Sequence, residues 1–283
     1  MKQVALSIAL SLFIAPVIHA QAPARDIPSA APTHPAGETQ DQRGRKLLDQ
    51  MLEALGGDAW LNRHNQQVVG HLGRFFSGAP TGIVVDFTST HQFAGSGRSE
   101  ATRAGFLTDK SMILPGKKID VVQIWANNTG YEITYKGKST LPREQIDDFY
   151  RRQDHSIESI FNVWLKAPGV VVVAEGSNMV GRRLTERVTV LSDNNDAVTL
   201  DIDAQTHLPR RRTFEWRNEK FKDHDEDAEE YDDYHDVQGL PTPYTISRYH
   251  NGDLASQTFL TKIEYDADLP PDFFTQEILV KKK

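Results

Sequence analysis

The densest cluster of titratable side chains in this 283-residue sequence is the run DHDEDAEEYDDYHD at 223–236. Side chains two apart on a strand project to one face, so Glu229, Asp233 and His235 could line up as ligands for a metal. The twelve-residue calcium loop, with its central glycine and terminal glutamate, is missing. Arg210, Arg211, Arg212, Arg217, Lys220 and Lys222 precede the run. A solvated acidic strand facing basic neighbours is the commoner use of such a pattern. No metal and no cofactor are therefore expected. Carboxylates near Asp233 and Asp236 could hydrolyse an envelope polymer only if two of them stood at glycosidase separation within a cleft.

Other catalytic patterns are equally scarce. No serine has glycines at both the −2 and +2 positions, so the nucleophile elbow is missing. No histidine is followed by glutamate, which removes the zinc-protease helix. Gly137-Lys138-Ser139 resembles the end of a phosphate-binding loop, but the first glycine of that loop would fall at position 132, which is Glu. Gly95 and Gly97 lack the third glycine of a dinucleotide loop. The chain has no cysteine, which excludes thiol catalysis, thiolate metal sites and disulfides. The expectation is a protein that is not an enzyme.

The aromatic residues carry more information. Trp125, Tyr131, Tyr135, Phe214 and Trp216 fall in strand-like segments, and Phe161 and Trp164 fall in an amphipathic helical one. Alternation puts Tyr131, Ile133 and Tyr135 on one face of a strand and Glu132, Thr134 and Lys136 on the other. Any one of these rings taken alone is ordinary core. Together they predict an apolar cavity on the concave side of a curved sheet, lined by Trp125, Tyr131, Ile133, Tyr135, Phe161, Trp164, Phe214 and Trp216.

The elements that would position them are legible in the periodicity. Leu47, Leu48, Met51, Leu52 and Leu55 form one stripe at helical spacing over 43–55, capped by Thr39 or Asp41 and stopped by Gly56-Gly57. A helix after Pro142 carries Ile146, Phe149 and Tyr150, with Asp147–Arg151 and Asp148–Arg152 pairs on its solvent side. A second helix, capped by Asp154 or Ser156, carries Ile157, Ile160, Phe161, Trp164 and Leu165. Strands are expected at 66–76, 81–90, 119–126, 131–137, 170–175, 178–191, 197–203, 208–217, 228–237, 243–250 and 254–266. Short strands without alternating helices predict one large antiparallel sheet, not a parallel α/β fold.

Residues 1–20 read as a cleaved secretory signal: Lys2, an apolar run from Val4 to Ile18, then a small-residue end at Ala20. Residues 21–40, rich in proline and alanine, read as a disordered tether. The folded domain is expected at 41–275, followed by a basic tail at 276–283. A formal charge of −7 argues against nucleic-acid binding. Export without an acylatable cysteine predicts an unanchored periplasmic protein, expected to be a monomer.

Three stretches resemble the outer-membrane lipoprotein-sorting family of periplasmic lipoprotein carriers. DIDAQTHLPRRRTFEWRN at 201–218 is similar to its strand–turn–strand, in which an aspartate-led turn precedes Leu-Pro and an aromatic strand. Residues 231–274 resemble its C-terminal strands, with a polar hairpin and a Leu-Pro…Phe ending. GRKLLDQMLEALGGDAWLN at 44–62 resembles its opening helix. The resemblance implies an incompletely closed antiparallel barrel with helices plugging its mouth. It also implies non-catalytic binding of lipoprotein or lipid acyl chains by the eight side chains named above, for transport between inner- and outer-membrane acceptor proteins. The alternative within the same fold is an envelope-stress sensor or scaffold that binds a protein or lipid signal.

Overall fold

Helix α1 (Gln40–Leu55) starts at Thr39, whose hydroxyl accepts from the Gln42 amide while the Gln42 side chain accepts from the Thr39 amide. This reciprocal capping box satisfies two donors that a bare helix end leaves orphaned. The helix ends where Gly56 turns left-handed at φ 119°. A one-turn helix, α2 (Asp58–Leu61), then buries Trp60. The computed structural model describes residues 38–93, 99–106, 119–134, 136–218, 220–271 and 273–274, so Tyr135 lies outside the described residues.

From there the described residues form a single antiparallel sheet of thirteen strands. Six strands step outward: β1 (Asn65–Phe76), β2 (Ala79–Gln92), β3 (Ser99–Phe106), β4 (Ile119–Ala126), β5 (Thr129–Thr134) and β6 (Gly137–Thr140). The chain then runs through α3 (Arg143–Asp154), α4 (Ile157–Asn162) and a 3-10 turn (Trp164–Lys166) to the opposite edge. Seven strands step back: β7 (Val171–Val180), β8 (Arg183–Leu191), β9 (Ala197–Asp203), β10 (Pro209–Asn218), β11 (Asp223–Val237), β12 (Leu240–His250) and β13 (Asp253–Tyr265). Strand β13 pairs with β1, so the sheet order is linear with β6 and β7 as its edges. The expected incompletely closed antiparallel sheet is the observed one.

The strand expectations needed three corrections. Strands β3 and β6 had no counterpart in the periodicity. The single strand expected at 178–191 is the hairpin β7–β8, because Gly181 and Arg182 both take positive φ (54° and 74°). Two such residues make the tight turn whose twist matches the flanking strands. The strand expected at 131–137 ends at Thr134.

The sheet is strongly curled. Strands β4 and β10 stand seven places apart in the sheet order, about 34 Å across a flat sheet at ~4.8 Å per strand. Yet α3 touches both. Phe149 stacks on Trp125 of β4 with ring centroids 4.6 Å apart, and the Arg152 carbonyl accepts from Arg212 of β10 at 3.0 Å. Three helical residues span only about 4.5 Å, so the two halves of the sheet must wrap around the helix.

The main core lies between the helices and β7–β13. Leu48, Met51, Ile160, Val172, Val188, Val190, Val198, Leu200, Ile202 and Phe214 are its fully sequestered members. A smaller cluster lies on the other face of β4 and β5, where Val122 and Ile124 pack with Ile133, Phe273 and Phe274.

Candidate functional site

Between the curled sheet and the helices is a cavity of about 680 Å³, within the ~300–1,000 Å³ typical of small-molecule sites. One wall is apolar, formed by Val68 and Leu72 of β1, Val85 and Phe87 of β2, Val121 of β4 and Leu260 of β13. These positions follow from strand alternation: Val68 and Leu72 differ by four residues and Val85 and Phe87 by two, so each pair faces the same way.

The opposite wall is charged. Arg212 is 3% exposed and donates to Glu229 at 2.9 Å. Its other nitrogen donates to the carbonyls of Arg152 and His155 at 3.0 and 2.8 Å, closing the C-terminal end of α3 with a side chain from β10. Tyr231 donates to Glu229 at 2.9 Å. Burial opposes the Glu229 charge, but Arg212, Arg248 and the Tyr231 hydroxyl outweigh it and hold the carboxyl below the ordinary glutamate range. Burial, with Glu229 adding to it, pushes the Tyr231 hydroxyl well up, so it stays a neutral donor. Nearby, Arg63 pairs with Glu158 at 3.0 Å and lies over the ring of Trp60 at 4.2 Å. A cation against an indole face gains from the ring quadrupole. On β4 and β5 the Gln123 amide donates to Glu132 at 3.1 Å.

Of the side chains expected to line one cavity, the structure brings only Trp125 to its wall among the described residues, and Tyr135 lies outside them. Tyr131 and Ile133 point away, because Glu132 is the cavity-facing residue of β5. The register agrees: Gln123 pairs with Glu132 facing in, while Val122 pairs with Ile133 facing out. The alternation within β5 is as expected. Its orientation is inverted, since the apolar side is covered by Phe273 and Phe274 instead of by a ligand.

Phe161 of α4, Trp164 of the 3-10 turn and Phe214 of β10 are buried in the main core, with Trp216 half-buried beside them. Phe161 meets Trp60 edge-on at 6.1 Å. The Trp164 indole donates to the Asp154 carbonyl at 3.0 Å. Phe214 stacks on His155 at 4.3 Å, and Trp216 lies beside Phe214 with Arg151 over its ring.

The ligand set Glu229, Asp233 and His235 does not share a face. Strand β11 pairs Asp232 with Thr245 and Tyr234 with Pro243 without a shift of register, but Asp233 between them takes a left-handed φ of 54°. This left-handed residue interrupts the alternation, so Tyr231 and Tyr234 both line the cavity while Asp233 and His235 are exposed and hydrogen-bond each other. Among the described residues no three histidine, aspartate or glutamate side chains converge as metal ligands.

Arg152 was expected in a surface pair with Asp148. Instead Asp148 pairs with Arg151 at 2.6 Å and Asp147 with Arg143 at 2.7 Å, which leaves Arg152 on the cavity wall. The signal was available in the spacing. Ile146, Phe149 and Arg152 are successive i+3 neighbours, so Arg152 continues the buried stripe.

A curled, open antiparallel sheet wrapped around helices and a cavity of this size defines the structural class. No family model and no curated protein matches the chain. A DUF1329-family protein of Desulfovibrio piger shares the fold at 12% identity and a TM-score of 0.54, over 86% of this chain and 100% of that one. A Vibrio parahaemolyticus domain described as an outer-membrane lipoprotein-sorting protein is similar at 8% identity and a TM-score of 0.50, over 83% of this chain and 99% of that one. The resemblance carried by the sequence motifs therefore extends to the fold.

Proposed function

We propose that this protein binds the acyl chain of a lipid or lipoprotein in its cavity, without catalysis, as a periplasmic carrier in envelope transport or sorting. The observation that carries the reading is the apolar wall of Val68, Leu72, Val85, Phe87, Val121 and Leu260 facing a cavity of about 680 Å³. Each methylene buried there gains roughly 0.8 kcal/mol, so a long chain gains on the order of 10 kcal/mol on leaving water. The secretory pattern at 1–20 supports export, and the fold shared with a domain described as lipoprotein-sorting supports the substrate class.

The test is titration of the purified exported protein with a fluorescent fatty-acyl probe, alongside Leu72→Trp, which puts an indole into the cavity. Saturable binding to the wild type, weakened at least tenfold in a folded Leu72→Trp protein, is expected. No binding to the wild type, or equal binding to both, overturns the reading.

A further inference from the structure

The cations on the cavity's polar wall are unequally partnered. Arg152, Arg212 and Arg248 act on the same two carboxylates, Asp227 and Glu229. Glu229 is held by Arg212 at 2.9 Å, and Asp227 is held by Arg248 at 2.8 Å. Asp148 is taken by Arg151, and Glu132, the carboxylate on the β5 side of the cavity, accepts from the Gln123 amide. Arg63 brings no imbalance of its own, because Glu158 neutralises it. Arg152 is thus left lining the cavity with no hydrogen-bond or ion-pair partner for its guanidinium among the described residues.

A guanidinium carries five donors and stays charged, and withdrawing such a group from water without a counter-ion is costly. Burial, and then repulsion from Arg248, lower the Arg152 pKa from its ordinary value. Arg74, another cavity-lining cation, is solvent-exposed, so water already compensates its charge. Arg152 is half-buried on the cavity wall. Meanwhile Val85 and Leu260, on the apolar wall of the same cavity, are 2% and 9% exposed. One chamber thus offers a place for a chain and a cation without a hydrogen-bond or ion-pair partner among the described residues.

We propose that Arg152 is the headgroup anchor of this cavity, and that its ligand is an anionic amphiphile whose acyl chain ends in a carboxylate or a phosphate. The assignment rests on the acyl-binding reading and specifies its ligand. A bidentate guanidinium–oxyanion contact fixes one end of the ligand, while the apolar wall takes the chain. Such an anchor discriminates among lipids by headgroup charge, which chain burial alone cannot do.

The experiment compares three probes of one chain length: dodecanoate, dodecyl phosphate and uncharged dodecanol. They are titrated by calorimetry into the full exported protein and into Arg152→Gln. Charged hydrogen bonds discriminate by about tenfold or more. At least one anion should therefore bind the wild type tenfold more tightly than dodecanol, and Arg152→Gln should erase that preference while leaving dodecanol affinity within twofold. Which anion is preferred identifies the headgroup. Equal wild-type affinity for all three probes overturns the anchor yet leaves acyl binding standing. No binding of any probe removes the acyl-binding reading itself. The wild-type comparison stands even if Arg152→Gln fails to fold, and in that event Arg152→Lys should keep the anion preference in weakened form.

Discussion

Glu229 shows how one carboxylate ties the sheet to the helices. It accepts from Arg212 and Tyr231, and Arg212 in turn closes the end of α3. Glu229 is half-buried and Arg212 keeps its two carbonyl acceptors, so neutralising the carboxylate removes a charge-assisted contact at a cost of about 1–3 kcal/mol. Glu229→Gln is expected to destabilise the protein by that amount at neutral pH. Because partners depress the folded-state pKa of Glu229, its contribution is present above the unfolded value near ~4.3. That contribution is lost as pH falls through the lower folded value. Urea unfolding at pH 7 and pH 3.5 should therefore show the gap between wild type and variant narrowing in acid. An equal gap at both pH values would sink the assignment. The acidic run and its basic partner strand were both legible in the sequence, and the register does set Arg212 opposite Glu229. What the sequence could not show is that Asp227 and Glu229 turn toward the interior while neighbours such as Asp233 are solvated. That depends on which face of β11 turns inward.

Strands β4 and β5 make the same point for an entire element. Period-two alternation states which side chains travel together, but not which set meets the core. The apolar set of β5 was expected to line the concave side, whereas the C-terminal Phe273 and Phe274 cover it from outside. That cover lies more than a hundred residues away in sequence, beyond the reach of any local pattern. Likewise the left-handed φ at Asp233 interrupts the alternation of β11 without a glycine in that strand to announce it. Helices were more legible, since the Thr39 cap and the Ile157–Ile160–Phe161 stripe depend on neighbours three and four residues away. The inverted face gives a direct prediction. Ile133→Asp should cost about 1–3 kcal/mol by placing a charge beneath Phe273 and Phe274, while acyl-probe affinity stays within twofold of wild type. A folded Ile133→Asp protein that has lost probe binding would return this face to the cavity.

The thirteen strands form a linear order, so one ladder alone joins the six strands that precede the helices to the seven that follow them. That ladder is β1 with β13. Its partners are about 190 residues apart in sequence, and ordering contacts so distant is slow and costly in chain entropy. The same seam forms part of the cavity, since Val68, Leu72 and Leu260 flank it on the inner face. At its centre the register shifts between Val69 and Gly70. A side-chain carbon on Gly70 would stand 2.5 Å from the Phe259 carbonyl oxygen and 3.2 Å from the Leu260 Cα. Both are backbone atoms, so relief requires the two strands to separate. Glycine is thus needed here for closeness, not for an unusual dihedral. Forcing an extra methyl into such a contact costs about 1–3 kcal/mol. The displacement would also move Leu260, so Gly70→Ala should lower stability and acyl-probe affinity together, unlike Ile133→Asp, which should lower stability alone. Thermal unfolding and probe titration on the same sample measure both. A Gly70→Ala protein as stable as wild type would show that the two halves are held by the helices and that the seam contributes little.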